Sequence, residues 1–112
     1  MPDTGAIVVF MTAPNVEEAT RLAEMLVGAH LAACVQILPE MESVYRWQGK
    51  IERQSEILLL AKTTQAKFAD LEREVRALHS YDTPEIIAVP VVDGSAPYLD
   101  WLNRATDPRS SE

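Results

Sequence analysis

The order of apolar and polar positions along this chain switches between a strand rhythm and a helix rhythm, and the switches mark its elements. Residues 6–13, AIVVFMTA, form an apolar run rich in β-branched side chains and too short for a helix, which predicts a buried strand. Asn15 then opens a helix: its side chain can accept from the first free N–H groups, and Glu18, three residues on, is placed to cap back. Val16, Ala19, Ala23 and Leu26 recur on one face of that helix, and Gly28 is its stop signal. Residues 32–47 read as a long strand interrupted near Pro39, with 50–62 as its partner and Gln48-Gly49 as the tight turn between them. The arms near this turn, SVYRW and KIERQ, are more polar than their bases, CVQIL and ILLLA, so the tip should project beyond its own core.

A second helix is expected over about 64–79, with Phe68, Leu71, Val75 and Leu78 on one face and Thr63 and Thr64 as caps. A strand over 85–92 follows. It carries Pro90, which cannot donate to a ladder and therefore places this strand at a sheet edge. Ser95 and Pro97 start a short helix that buries Tyr98, Trp101 and Leu102, and the tail 106–112, TDPRSSE, is expected to fray. The order is β-α-β-β-α-β plus a terminal helix in one domain with its core at about 6–105. That is the α+β split βαβ, or ferredoxin-like, sandwich with an extended β2–β3 hairpin.

The strands VVF, ILLL and IIAV do not alternate, as they would if one sheet face were wetted. Both faces are therefore expected to be dry, and two proper helices cover only one of them. Other copies of the chain are the expected cover, which makes the protein an obligate homo-oligomer.

Composition narrows the function. The net charge of −7 and the lack of any Lys/Arg cluster exclude a phosphate-neutralising surface, so nucleic acid is not an expected partner. No apolar run approaches the roughly 20 residues of a membrane span, and the opening MPDTGA lacks the basic and apolar regions of a signal peptide. No membrane association and a cytoplasmic location are expected. The single cysteine, Cys34, excludes an internal disulfide and a cysteine-rich zinc site. Four scattered glycines form no phosphate loop, and no Ser/His/Asp set has neighbouring support, so no catalytic residue is assigned and an enzyme is not expected.

Chemistry concentrates at the junction HSYDTPEIIAVPV, residues 79–91, where His79, Tyr81, Asp82 and Glu85 crowd a helix end and a strand start. Two readings of His79 stand. A neutral imidazole suits copper or zinc, with Asp82 and Glu85 as further ligands or supports. Alternatively, the ring ends a helix and satisfies its carbonyls. Pro84 holds Thr83 extended under either reading. Cys34 reads first as a small buried hydrophobe. His30, on the exposed end of the first helix, has no partner at helical spacing and is given no role.

These segments together resemble one family. VVFMTAPN (8–15), LAACVQILP (31–39), SVYRWQGKIE (43–52), EILLLAKT (56–63), HSYDTPEIIAVPV (79–91) and YLDWL (98–102) match, in order, the CutA-type divalent-cation (copper) tolerance proteins. The resemblance implies a homotrimer of ferredoxin-like subunits packed sheet against sheet, similar to the trimeric PII signalling proteins, with hairpins paired to neighbours. It implies a role in copper and divalent-cation tolerance, no required cofactor, copper or another divalent cation as candidate ligand, and no catalytic activity. Some members carry a second histidine just before His79 and a cysteine in the first strand; here Leu78 and Met11 stand there. The candidate metal set is thus His79, Met11 and Cys34. A separate constellation, Tyr45, Trp47, Lys62, Tyr81, Pro84, Glu85 and Trp101, resembles the lining of a cleft between subunits. Lys62 there should pair with Glu85 or Glu52, and the cleft would hold a small anion, a planar ligand or an unidentified protein partner.

Overall fold

The structure, a computed structural model, describes residues 4–111. Its elements are β1 (Ala6–Ala13), α1 (Val16–Gly28), β2 (Cys34–Trp47), β3 (Lys50–Thr64), α2 (Phe68–Leu78), β4 (Ile86–Pro90) and α3 (Ala96–Ala105). A short 3₁₀ turn, Gln65–Lys67, precedes α2. The four strands form one antiparallel sheet in the order β2-β3-β1-β4. β4 is an edge strand, so Pro90 lacks an N–H where no ladder needs one.

One sheet face is closed by α1 and α2. Val9, Met11 and Leu59 point into this layer and pack with Leu22, Leu26, Leu71 and Val75, all fully buried. The other face carries the alternate residues of the same strands. At one end α3 covers it, where Ala6, Ala33 and Leu102 pack with Val91, Leu99 and Trp101. Further along, Phe10, Leu58 and Leu60 are half-buried, while Ile87 and Val89 on β4 are 55% and 47% exposed. Within one chain this second face stays open.

The hairpin turn follows the sequence pattern: Gln48 and Gly49 both take positive φ, 51° and 80°, the pairing that matches the twist of two antiparallel strands. Near Pro39 the ladder slips. Leu38 opposes Leu58 but Met41 opposes Glu56, so β2 carries one extra residue, a bulge. Because side chains alternate with period two, the extra residue swaps the faces of everything beyond it. Before the bulge Cys34, Gln36 and Leu38 share a face with Leu58 and Leu60; after it Ser43, Tyr45 and Trp47 do.

Several expectations are corrected. Asn15 caps α1 by accepting from the Glu18 N–H at 2.8 Å, but the Glu18 carboxylate does not cap back; it turns inward to Ser80. Thr63 is no cap: it is buried in β3 and donates its hydroxyl to the Leu31 carbonyl at 2.7 Å, and Thr64 makes no side-chain cap either. Leu78 is exposed: it is the last residue of α2, and the next one, His79, is the side chain that turns inward. After α3, Thr106 is buried and donates to the Leu102 carbonyl, and Asp107 accepts from the Arg109 N–H. Glu112, the end of the expected tail, lies outside the described residues. His30 is half-buried and bonds through Nδ1 to the Ala105 carbonyl at 3.2 Å, fastening the end of α1 to the end of α3.

Candidate functional site

The loop from His79 to Glu85 crosses the end of β1, and a buried polar knot holds it there. The imidazole of His79 is fully buried. The Tyr81 N–H donates to its Nδ1 at 3.0 Å, which assigns the proton to Nε2, and Nε2 donates to the Thr12 carbonyl at 2.8 Å. Glu18 Oε2 accepts from both the Ser80 N–H and the Ser80 hydroxyl at 3.0 Å and lies 3.3 Å from Nδ1 of His79. Four segments, α1, β1, α2 and the loop, thus meet on two side chains.

Burial by itself would raise the Glu18 carboxyl. The two Ser80 bonds, with a smaller contribution from the Arg21 charge, more than offset that and hold it below its ordinary 4.5. A depressed carboxyl stabilises the fold above its ordinary value and loses that contribution as pH falls through its lower folded value. The urea midpoint should therefore fall as pH drops below about 4.5, and Glu18→Gln should remove part of that fall; a variant whose pH profile overlays the parent would disprove the assignment.

Beyond the knot the loop delivers Tyr81 to the open face of the sheet. There a one-way chain of hydrogen bonds runs to a carboxylate. The Tyr45 hydroxyl donates to Gln54 Oε1 at 2.9 Å, Gln54 Nε2 donates to the Tyr81 hydroxyl at 2.7 Å, and that hydroxyl donates to Glu56 Oε2 at 3.0 Å. Burial first, and then the bond to Glu56, push the Tyr81 phenol up to about 12, so it remains a donor at neutral pH. The ring of Tyr81 also stacks obliquely on His79, with centroids 4.8 Å apart.

Around this chain of bonds lies a cavity of about 620 Å³, lined by Thr12, Ser43, Val44, Tyr45, Trp47, Gln54, Glu56, Tyr81, Asp82, Thr83 and Glu85. The β2 bulge is the reason Ser43, Tyr45 and Trp47 face it; without the extra residue they would point to the other side of the sheet. Every charged lining residue is acidic. Glu56 is only 6% exposed, yet among the described residues just one of its two oxygens has a hydrogen-bond partner. No described buried side-chain oxygen lacks a partner, so Oε1 of Glu56 opens onto the cavity.

The residues singled out from the sequence divide. Tyr45, Trp47, Tyr81 and Glu85 line this one cavity, and Asp82 joins them. Lys62, Pro84 and Trp101 do not. Lys62 lies further along β3, level with Cys34, and within the chain donates to Gln36 Oε1 at 2.6 Å rather than to Glu85 or Glu52. Trp101 belongs to the α3 cluster beside Tyr98, and Pro84 is a half-buried loop residue outside the lining. Glu56, Gln54, Thr12 and Glu18 were missed. The signal for Glu56 was faint but present: a lone carboxylate opening the apolar run EILLLA.

The structure does not bring His79, Met11 and Cys34 together. Met11 is fully buried on the helix face, level with Leu59, whereas Cys34 is half-buried on the other face, level with Lys62 and beside Tyr98. Two strand spacings and three rows separate them, roughly 14 Å from the usual strand spacing and rise. Both ring nitrogens of His79 are already bonded. A soft-ligand copper site needs all donors within about 2.3 Å of one ion, so this set does not fit one. Among the described residues, no three His, Cys, Asp or Glu side chains converge on a common point.

Comparison with known proteins agrees with the fold and the motifs. The model of the family described as CutA1 divalent ion tolerance protein matches residues 7–105. The divalent-cation tolerance protein CutA of Thermus thermophilus is 48% identical over 99 residues, covering 88% of this chain and 96% of that protein. The chloroplastic protein CutA of Arabidopsis thaliana is 48% identical over 101 residues, 90% of this chain, but the chain spans only 56% of that relative's length. Among solved structures, the periplasmic divalent cation tolerance protein CutA of Archaeoglobus fulgidus superposes with a TM-score of 0.89 at 41% identity, covering 91% of this chain and 99% of that one. With the sheet order, the capped first helix and the loop 79–85 all in place, the chain belongs to the CutA1 divalent ion tolerance family.

Proposed function

We propose that this protein acts in divalent-cation tolerance as a ferredoxin-like, PII-like homotrimer that binds cations weakly in the cavity beside Glu56. The observation that carries the reading is the charge of that cavity: Glu56, Asp82 and Glu85 line it, and no lysine, arginine or histidine does. Their oxygens are hard donors suited to divalent cations that keep much of their water. The three carboxylates do not converge, so attraction acts largely through water and is weak and non-selective. The trimer is supported by the open sheet face, whose apolar side chains have no cover within one chain. Action in the cytoplasm is part of this reading; no helix among the described residues is long and apolar enough to cross a membrane. The relatives' names mention chloroplast and periplasm, so family membership does not fix a compartment.

Equilibrium dialysis against Mn²⁺ and Cu²⁺ tests the site. Combining Glu56→Gln, Asp82→Asn and Glu85→Gln should lower retained Mn²⁺ several-fold, and raised salt should do the same in the parent. Cys34→Ser should leave retention unchanged. Retention that follows Cys34 and ignores the carboxylates would refute the proposal.

A second reading rests on size. About 620 Å³ walled by Tyr45, Trp47 and Tyr81 is far more space than a hydrated ion uses and falls in the range of small-molecule sites. On this reading the protein is a PII-like regulatory module whose cavity holds a small ligand.

A further inference from the structure

We infer that the cavity beside Glu56 selects a small organic ammonium ion, a primary amine carrying an apolar or aromatic body. This rests on the second reading, that the cavity holds a small molecule, and supplies its chemical class. The first ground is polarity. The sequence reading put Lys62 in a cleft between subunits that would hold a small anion or a planar ligand; within one chain Lys62 donates to Gln36, and the charged lining of this cavity is Glu56, Asp82 and Glu85.

The second ground is the direction of the hydrogen bonds. Tyr45, Gln54 and Tyr81 donate in series toward Glu56 Oε2, so the chain supplies that oxygen with its donor and orients the carboxylate. Oε1, on a side chain that is otherwise buried, opens onto the cavity as an acceptor with no partner in the described residues. A carboxylate oxygen in that position calls for a charged N–H donor, and an ammonium group supplies it. The third ground is the wall. Trp47 and Tyr45 stand on the same sheet face two residues apart, both more than a third exposed toward open space, and offer π-faces to a cation and apolar area to its body. Inorganic cations use the charge but not the aromatic wall; neutral planar molecules use the wall but leave the carboxylate unpaired. Only an organic cation uses both.

Isothermal titration calorimetry with three probes of one shape tests this: 2-phenylethylammonium, phenylacetate and 2-phenylethanol. The ammonium probe should bind, and the anion and the alcohol should not. Glu56→Gln should weaken its binding by about tenfold or more, and Trp47→Ala by about three- to thirtyfold. Lys62→Ala should leave it unchanged. Circular dichroism and melting of each variant confirm that the fold is retained. Tighter binding of phenylacetate would overturn the ammonium assignment while sparing the small-molecule reading. Absence of binding by all three probes would overturn both. Mn²⁺ retention in dialysis, insensitive to Trp47→Ala, judges the inorganic-cation reading independently.

Discussion

Replacing His79 with alanine should lower the unfolding free energy by about 3–4 kcal/mol while leaving cation retention unchanged. The substitution strips the Thr12 carbonyl of its donor and the Tyr81 N–H of its acceptor, both in a region sealed from water. Each such orphaned group costs about 1–3 kcal/mol. It also leaves the buried Glu18 with Ser80 as its hydrogen-bond partner and an empty space where the ring stood. Two conservative variants separate the parts. In His79→Gln the amide can reach the Thr12 carbonyl, and in His79→Asn the side-chain oxygen sits where Nδ1 accepts; each should recover about 1 kcal/mol. Urea unfolding at fixed protein concentration measures all three, since an oligomer's stability depends on concentration. A His79→Ala protein within about 1 kcal/mol of the parent, but unable to retain Cu²⁺, would restore the histidine as a ligand and undo the structural role argued here.

Introducing lysine at both Ile87 and Val89 should dissociate the proposed trimer into single chains of 12.5 kDa, or leave the protein insoluble. These two side chains stand on β4 in register with Phe10 and Val8, on the sheet face that neither α1 nor α2 covers. Each contributes about 1.5–3 kcal/mol when sheltered, and lysine in their place would have to lose its water at a cost of several kcal/mol. Three copies multiply the effect. Val16→Lys, at an exposed site on the start of α1, should leave the mass in solution unchanged. Sedimentation equilibrium reads the result. A parent protein that sediments as one chain at micromolar concentration would remove the basis of the trimer, and with it the need for a second dry face.

The alkaline behaviour of Tyr81 and the acidic behaviour of Glu18 have a common root. Both side chains are drawn out of water to hold the loop 79–85, and their hydrogen-bond partners decide which protonation state the fold prefers. Glu18 is kept ionised by donors, Tyr81 is kept protonated by an acceptor. Neither residue touches the other, but His79 lies against both.

The sequence by itself determined the elements and their order. Periods of two and of 3.6 in the apolar residues, Asn15 at a helix start, Gln48-Gly49 at a hairpin and Pro90 at an edge are local signals, because each depends on backbone geometry within a few residues. Four of the cavity residues, Tyr45, Trp47, Tyr81 and Glu85, were also legible, through the family resemblance. What tertiary structure alone decided is how those residues face and what they touch. One extra residue in β2 turned Tyr45 and Trp47 toward Glu56, and no local pattern reports a register slip between two strands. His79 was recruited by Thr12, 67 positions away, and Ser80 by Glu18, 62 positions away, converting a plausible ligand into a structural bond and a capping carboxylate into a core one. Lys62 was placed on Gln36 because antiparallel pairing set those two side chains on one face. Such contacts are fixed only when distant segments close on one another and each buried polar group must find a partner, a condition set by the whole fold.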